Sequence, residues 1–223
     1  IYGIDISRFQ HEKGRKRFKI DWGNLAITSL GRLSKKKVMG ETNFPISFIY
    51  IKSTEGTSIK NRYFNADYRD ARRHGYKVGA YHFFSIRTGG AAQARYFLKY
   101  SRYSKGDFPP VLDLEPTRSQ IMQMGGTAKM LKEVRQWLHI VEKALGVRPI
   151  LYISQAFVRK YMSAAPDLIH DYNVWIARYG EYKPELNLVF WQLSPDGRVR
   201  GIRTEVDINV FNGFREEWEK FIK

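Results

Sequence analysis

The chain has 223 residues, 43% of them hydrophobic and 15% aromatic, and carries 38 Lys and Arg against 22 Asp and Glu, a formal charge of +16. That length and apolar content are enough for one sizeable core, so a single catalytic domain over residues 1–223 is the expectation. The absence of cysteine excludes disulfides, thiol catalysis and cysteine-ligated metal. No apolar run approaches the length that crosses a bilayer, which predicts a mature domain without membrane insertion, its leader absent from the chain. The positive field would attract any polyanion, yet no zinc finger or RNA-recognition module accompanies it, and nucleic acid is not the expected partner. Much of the excess charge lies in residues 11–19, 32–37 and 69–74, which read first as solvated loops and helix faces.

In chain order, residues 2–6 predict the first strand, and Asp21 can cap a helix running through Leu25 and Leu30. A second strand is predicted at 47–52, followed by a helix over 61–74 with Phe64, Tyr68 and Ala71 on one face and Gly75 at its end. The third strand, 77–84, leads into a helix at 90–100. The fourth, 110–114, precedes the clearest helix of the chain, 127–145, where Met130, Leu131, Val134, Trp137, Leu138, Val141 and Leu145 keep helical spacing and Gly146 supplies the stop. A fifth strand at 149–153 runs into a helix capped by Ser154 and holding Phe157 and Tyr161.

Strands six to eight are predicted at 173–177, 188–193 and 205–210. Gly180 and Pro184 interrupt the first gap between them, and Pro195, Asp196 and Gly197 predict a turn in the second. Both gaps are too short for packed crossover helices. These last three strands are therefore expected to be joined by loops or hairpins, partly antiparallel, with Phe214, Trp218 and Phe221 in a closing helix. The predicted fold class is α/β, an irregular (β/α) barrel of eight strands with about five helical crossovers.

In such barrels chemistry gathers at the C-terminal ends of the strands. The fourth strand ends in Asp113-Leu114-Glu115, and strand alternation sends Asp113 and Glu115 to one face. Two carboxylates that close cannot both ionise freely, so one is expected to keep a proton near neutrality, as a general acid must. On reach alone that role falls to Glu115. Asp5 and Asp207 end the first and last strands, which become neighbours when a barrel closes, so four acids are expected to face one mouth. Such a cluster can hold a divalent cation or do acid/base work on sugars. Tyr81, Tyr152, Trp175 and Trp191, with Gln192, favour sugars, whose apolar faces stack on aromatic rings. His82 follows Tyr81 and must point the other way, which predicts a buried structural histidine.

Eight spaced segments carry a resemblance: GIDISRFQ at 3–10, IDW at 20–22, YIKSTEGTS at 50–58, GAYHFF at 79–84, PPVLDLE at 109–115, WIARYG at 175–180, WQLS at 191–194 and VDINVF at 206–211. Together they resemble glycoside hydrolase family 25, the lysozymes of Chalaropsis type, which are N-acetylmuramidases. The resemblance implies an irregular (β/α) barrel that hydrolyses the β-1,4 bond between N-acetylmuramic acid and N-acetylglucosamine, with no cofactor and no metal. It implies Glu115 as the acid, Asp113 as its partner carboxylate, and Asp5 and Asp207 as flanking acids of the cleft. Asp113 would orient the substrate's own acetamido group as internal nucleophile, with net retention, a substrate-assisted route outside the two-carboxylate scheme.

The implied partner is the glycan of bacterial peptidoglycan, met outside the cell or in its envelope by a secreted monomer. Two segments depart from the family pattern, the basic stretch 11–19 and an insertion at 29–45. Both would rim the cleft, where their charge suits anionic wall polymer or peptide stems. The rival readings are a metal-dependent phosphoester hydrolase using the same acids, and a wall-binding module that grips glycan without cutting it.

Overall fold

The structure is a computed structural model that describes residues 1–32, 41–177 and 187–222. Eight strands close a barrel: β1 (Tyr2–Ile6), β2 (Phe48–Glu55), β3 (Lys77–Phe83), β4 (Val111–Asp113), β5 (Ile150–Ser154), β6 (Asn173–Ala177), β7 (Leu188–Arg200) and β8 (Val206–Phe211). Neighbours from β1 to β7 pair parallel, β8 runs antiparallel to β7, and β8 closes the ring antiparallel to β1. The antiparallel character expected of the last three strands thus belongs to β8. The connection from β6 to β7, with Gly180 and Pro184, lies outside the described residues.

The helices explain the parallel order, since each returns the chain to the start of the next strand. Phe64–Arg73 (α1) joins β2 to β3, and Gly90–Tyr100 (α2) joins β3 to β4. Arg118–Met124 (α3) and Thr127–Leu145 (α4) join β4 to β5. Gln155–Tyr161 (α5) and Pro166–Asp171 (α6) join β5 to β6, and Arg215–Phe221 (α7) follows β8. The spacing argument locates α4 to the residue, with Gly146 in the left-handed conformation beyond it. Ser154 caps α5 by accepting from Phe157 N–H at 3.1 Å.

Two expectations fail for one reason, tertiary pairing overriding local signals. The helix expected after Asp21 is a 3-10 turn, Trp22–Asn24, followed by a strand, Ala26–Ser29. Its β-branched Ile27 is fully buried and pairs with Val199, so cross-strand packing outweighs the Leu25/Leu30 spacing. Among the described residues four crossovers therefore carry α-helices, where five were expected. The turn expected at Pro195-Asp196-Gly197 is also absent, because β7 continues to Arg200. Its register shifts between Gln192 and Ser194 and again before Gly197, an irregularity that absorbs the proline's missing N–H. The chain turns instead after β7, at Gly201, whose φ is +89°.

Alternation along the strands builds two cores. Ile4, Ile49, Ile51, Val78, Leu112, Leu151, Ile153 and Val174 face outward and pack with Trp137, Val134 and Phe97 of the helices. Phe48, Tyr50, Val111, Ile150, Trp175 and Phe190 fill the barrel interior. The interior rings need room, and Gly79 supplies it: a Cβ there would lie 2.2 Å from a ring carbon of Tyr50. Gly79→Ala should lower stability by about 1–3 kcal/mol, the usual cost of overpacking, read as a lower urea midpoint at unchanged m.

His82 is fully buried in the outer core, as its position after Tyr81 predicts. Its Nδ1 accepts from the Thr54 hydroxyl at 2.8 Å, its Nε2 donates to Gln93 Oε1 at 3.1 Å, and its ring stacks on Trp137 with centroids 5.6 Å apart. Burial lowers its pKa from 6.5 to about 4. Between those values the unfolded chain binds a proton that the folded protein does not, so this group's contribution to stability falls as pH drops below 6.5. Asp5, Asp113 and Asp207, all raised, act in the opposite sense. Comparison with His82→Gln isolates the histidine: the stability advantage of the native chain over the variant should shrink by about 2 kcal/mol between pH 7 and pH 4.5. An advantage independent of pH would contradict the lowered pKa.

Candidate active site

The inward residues at the C-terminal ends of the strands are polar where those below them are aromatic. Asp5, Lys52, Tyr81, Asp113, Tyr152, Gln192 and Asp207 line a cleft of about 280 Å³, joined by Ser7, Phe9, Phe83, Val111, Trp175 and Glu115. Asp113 and Glu115 thus meet in one cleft. β4 ends at Asp113, which is buried at the barrel mouth, while Glu115 lies two residues beyond it and is exposed.

Burial, followed by the charge and the hydrogen bond of Glu115, holds the Asp113 carboxyl well above the carboxylate range, and Lys52 pulls it down. Desolvation thus acts on the buried Asp113 carboxyl and favours its neutral form. The Oδ1 atom of Asp113 is buried and accepts no hydrogen bond within the protein.

The second acid pair is set by sheet register. Asp5 and Asp207 are direct partners across β1 and β8, as barrel closure requires. Burial raises Asp207 to about 9, helped by the charge and hydrogen bond of Asp5. Burial also raises Asp5, but hydrogen bonds from Asn209 and Gln192 limit the rise to about 6. Asp5 Oδ2 accepts from Asn209 Nδ2 at 2.9 Å and Gln192 Nε2 at 3.5 Å, and Tyr152 donates its hydroxyl proton to Gln192 Oε1 at 2.9 Å. Trp175 Nε1 donates to Asn209 Oδ1 at 3.1 Å, and its ring meets Tyr152 edge to face, 5.3 Å between centroids. The two acid pairs thus sit in differently built surroundings, one tied into a side-chain network and the other left with an unused acceptor.

Eight of the nine residues singled out in the sequence line this cleft. Trp191 does not. Adjacent residues of a strand face opposite sides, so with Gln192 pointing in, Trp191 points out of the barrel. Trp175 is only 2% exposed and forms part of the floor, whereas Phe9, at 61%, stands open at the rim. Sequence reasoning assigned no role to Phe9, Phe83 and Lys52, which also line the cleft. Phe83 and Lys52 follow from two-residue alternation with Tyr81 and Tyr50. Phe9 lies past the end of β1, on the 3-10 turn Arg8–Gln10, where no alternation applies. Residues 178–180, the end of the WIARYG segment, lie outside the described residues.

A closed β/α barrel with paired carboxylates and aromatic walls at its C-terminal mouth has the architecture of a glycoside hydrolase. A family model, glycosyl hydrolases family 25, matches residues 4–202. The chain is 36% identical to the protein YegX of Escherichia coli K12, across 100% of this chain and 73% of that one. It is 30% identical to Lysozyme M1 of Streptomyces globisporus, covering 96% of this chain and 68% of the relative. The solved structure of the bacterial lysozyme from Streptomyces coelicolor superposes with a TM-score of 0.79 at 28% identity, over 100% of this chain and 96% of that one. The chain belongs to glycosyl hydrolase family 25, and it is a glycoside hydrolase.

Proposed function

We propose that this protein is an N-acetylmuramidase that cuts the β-1,4 bond between N-acetylmuramic acid and N-acetylglucosamine in bacterial peptidoglycan. Its similarity to a protein named lysozyme supports the substrate. The observation that carries the chemistry is the meeting of Asp113 and Glu115 in one cleft, with the buried Asp113 Oδ1 unused. In this reading the pair holds one proton. Glu115, exposed toward the glycan, passes it to the departing glycosidic oxygen, and Asp113, left as a carboxylate, accepts the N–H of the substrate's acetamido group. The acetamido oxygen then attacks the anomeric carbon, and water opens the resulting ring with net retention. The Tyr152–Gln192–Asp5 network keeps the opposite wall in place, and Tyr81 and Phe9 border the sugar.

In this reading the acids act as two pairs, Asp113 with Glu115 and Asp5 with Asp207, without a metal or cofactor. We take residues 1–223 as one catalytic domain acting as a monomer on peptidoglycan outside the cell or in its envelope. No described helix is long and apolar enough to cross a membrane.

The test is digestion of purified peptidoglycan, with chelator in one arm, and mass spectrometry of the new reducing ends. Muramic acid ends in both arms support the reading. Glucosamine ends move the cut to the other bond, and loss of activity with chelator returns the site to metal chemistry. Binding without cleavage would make the protein a wall-binding module.

A further inference from the structure

The basic segment at residues 11–19 is not an unanchored loop. Its first residue, His11, is buried, with Nε2 2.9 Å from both Asp67 carboxylate oxygens and its ring stacked on Tyr63 at 4.2 Å. Glu12 then pairs with Arg62 on the same side. From that footing the chain forms a two-stranded hairpin, Glu12–Lys13 against Lys16–Arg17, turning at Gly14 with φ of +59°. At the hairpin's base Arg203 lies over the ring of Phe18, 6.0 Å from its centroid. Lys13, Arg15, Lys16 and Arg17 are all exposed. Of these, Arg17 has an acidic partner, Glu12, at 4.0 Å, and Lys13, Arg15 and Lys16 have none among the described residues. A rigid base holding up unpaired cations is a poor way to gain stability, since exposed charges contribute little to folding, and a good way to meet an anion in a fixed place.

The position of the hairpin indicates which anion. Ser7 and Phe9 line the cleft, and Phe9 presents an open ring at its rim with Arg8 5.2 Å from the ring centre. Lys13 is four residues further along the chain, within about 14 Å of Phe9 between Cα atoms. A glycan lying in the cleft would therefore carry the groups attached to its muramic acid units past the hairpin. In peptidoglycan those groups are peptide stems, which end in carboxylates.

We infer that the hairpin at Lys13, Arg15 and Lys16 is a docking site for the carboxylates of the substrate's peptide stems, so that the enzyme prefers stem-bearing glycan to bare glycan. The inference rests on the muramidase reading. Its test compares kcat/KM on soluble glycan strands carrying their stems with that on the same strands stripped by an amidase, for the native protein and for the triple variant K13E/R15E/K16E.

The native protein should favour stem-bearing strands about fivefold to tenfold at low salt, the size that two or three exposed ion pairs provide, and the preference should fade toward 0.5 M salt. The triple variant should bring the ratio to one or below through KM, with little change in kcat. A native preference retained in the variant overturns the assignment to the hairpin. Equal hydrolysis of both glycans by the native protein overturns the docking site and leaves the muramidase reading standing. Hydrolysis of neither removes both.

Discussion

Glu115→Gln should lower kcat on peptidoglycan about a thousandfold while leaving the fold and glycan binding intact. The carboxyl group stands exposed at the cleft, outside both cores, so replacing it by an amide of the same shape removes no packing. What is lost is the proton transfer to the departing oxygen, a contribution that positioned acids make at the level of about 10²–10⁴. Because the loss is confined to that transfer, a substrate whose leaving group needs no proton, such as an activated aryl glycoside, should be cleaved by the variant at a rate much closer to that of the native enzyme. Release of reducing ends from peptidoglycan and of the aryl group from the activated substrate measures both. A variant that keeps most of its rate on peptidoglycan removes Glu115 from the role of acid.

Asp113→Asn separates two jobs that a buried carboxyl can perform. Burial favours the neutral Asp113 carboxyl, which can donate to Glu115, and an asparagine amide can donate in the same way. If donation were the whole role, the variant would stay active. In the proposed mechanism Asp113 must become a carboxylate as the acetamido group attacks and positive charge develops on it. Asparagine cannot ionise, so the loss should be about 10²–10³ in kcat, the size of one preorganised electrostatic contact, with KM little changed. The anomer first released, followed by NMR, should be β in the native enzyme, as retention requires. Nearly full activity of the variant would end the case for an ionised partner.

Much of this was legible in the amino-acid order. The eight strands are short, β-branched or aromatic, and each keeps its identity in the folded protein. Asp113 and Glu115 reach one cleft as the two-residue period predicts, although the strand itself ends at Asp113. The same period predicts His82 on the outer face, but Trp191 shows how the argument misleads when one residue of an inward-and-outward series is judged by its chemistry rather than its parity. The helix assigned through Leu25 and Leu30 shows the other failure. Its apolar spacing fits a helix, yet Val199, more than 170 positions away, offers Ile27 a strand partner, and no local window contains that information.

By itself, then, the sequence determined the number of barrel strands, four of the five helical crossovers it predicts, the family, and the gathering of four acids at one cleft, because each follows from short-range periodicity or from residue type in a spaced motif. The tertiary structure decided that burial favours the neutral form of Asp113 and Asp207, that Asp5 faces Asp207 through sheet register, that Trp175 is floor while Phe9 is rim, and that a basic hairpin is braced on Asp67 and Arg62. These depend on desolvation and on pairing between distant segments, and both quantities come into existence when the barrel closes.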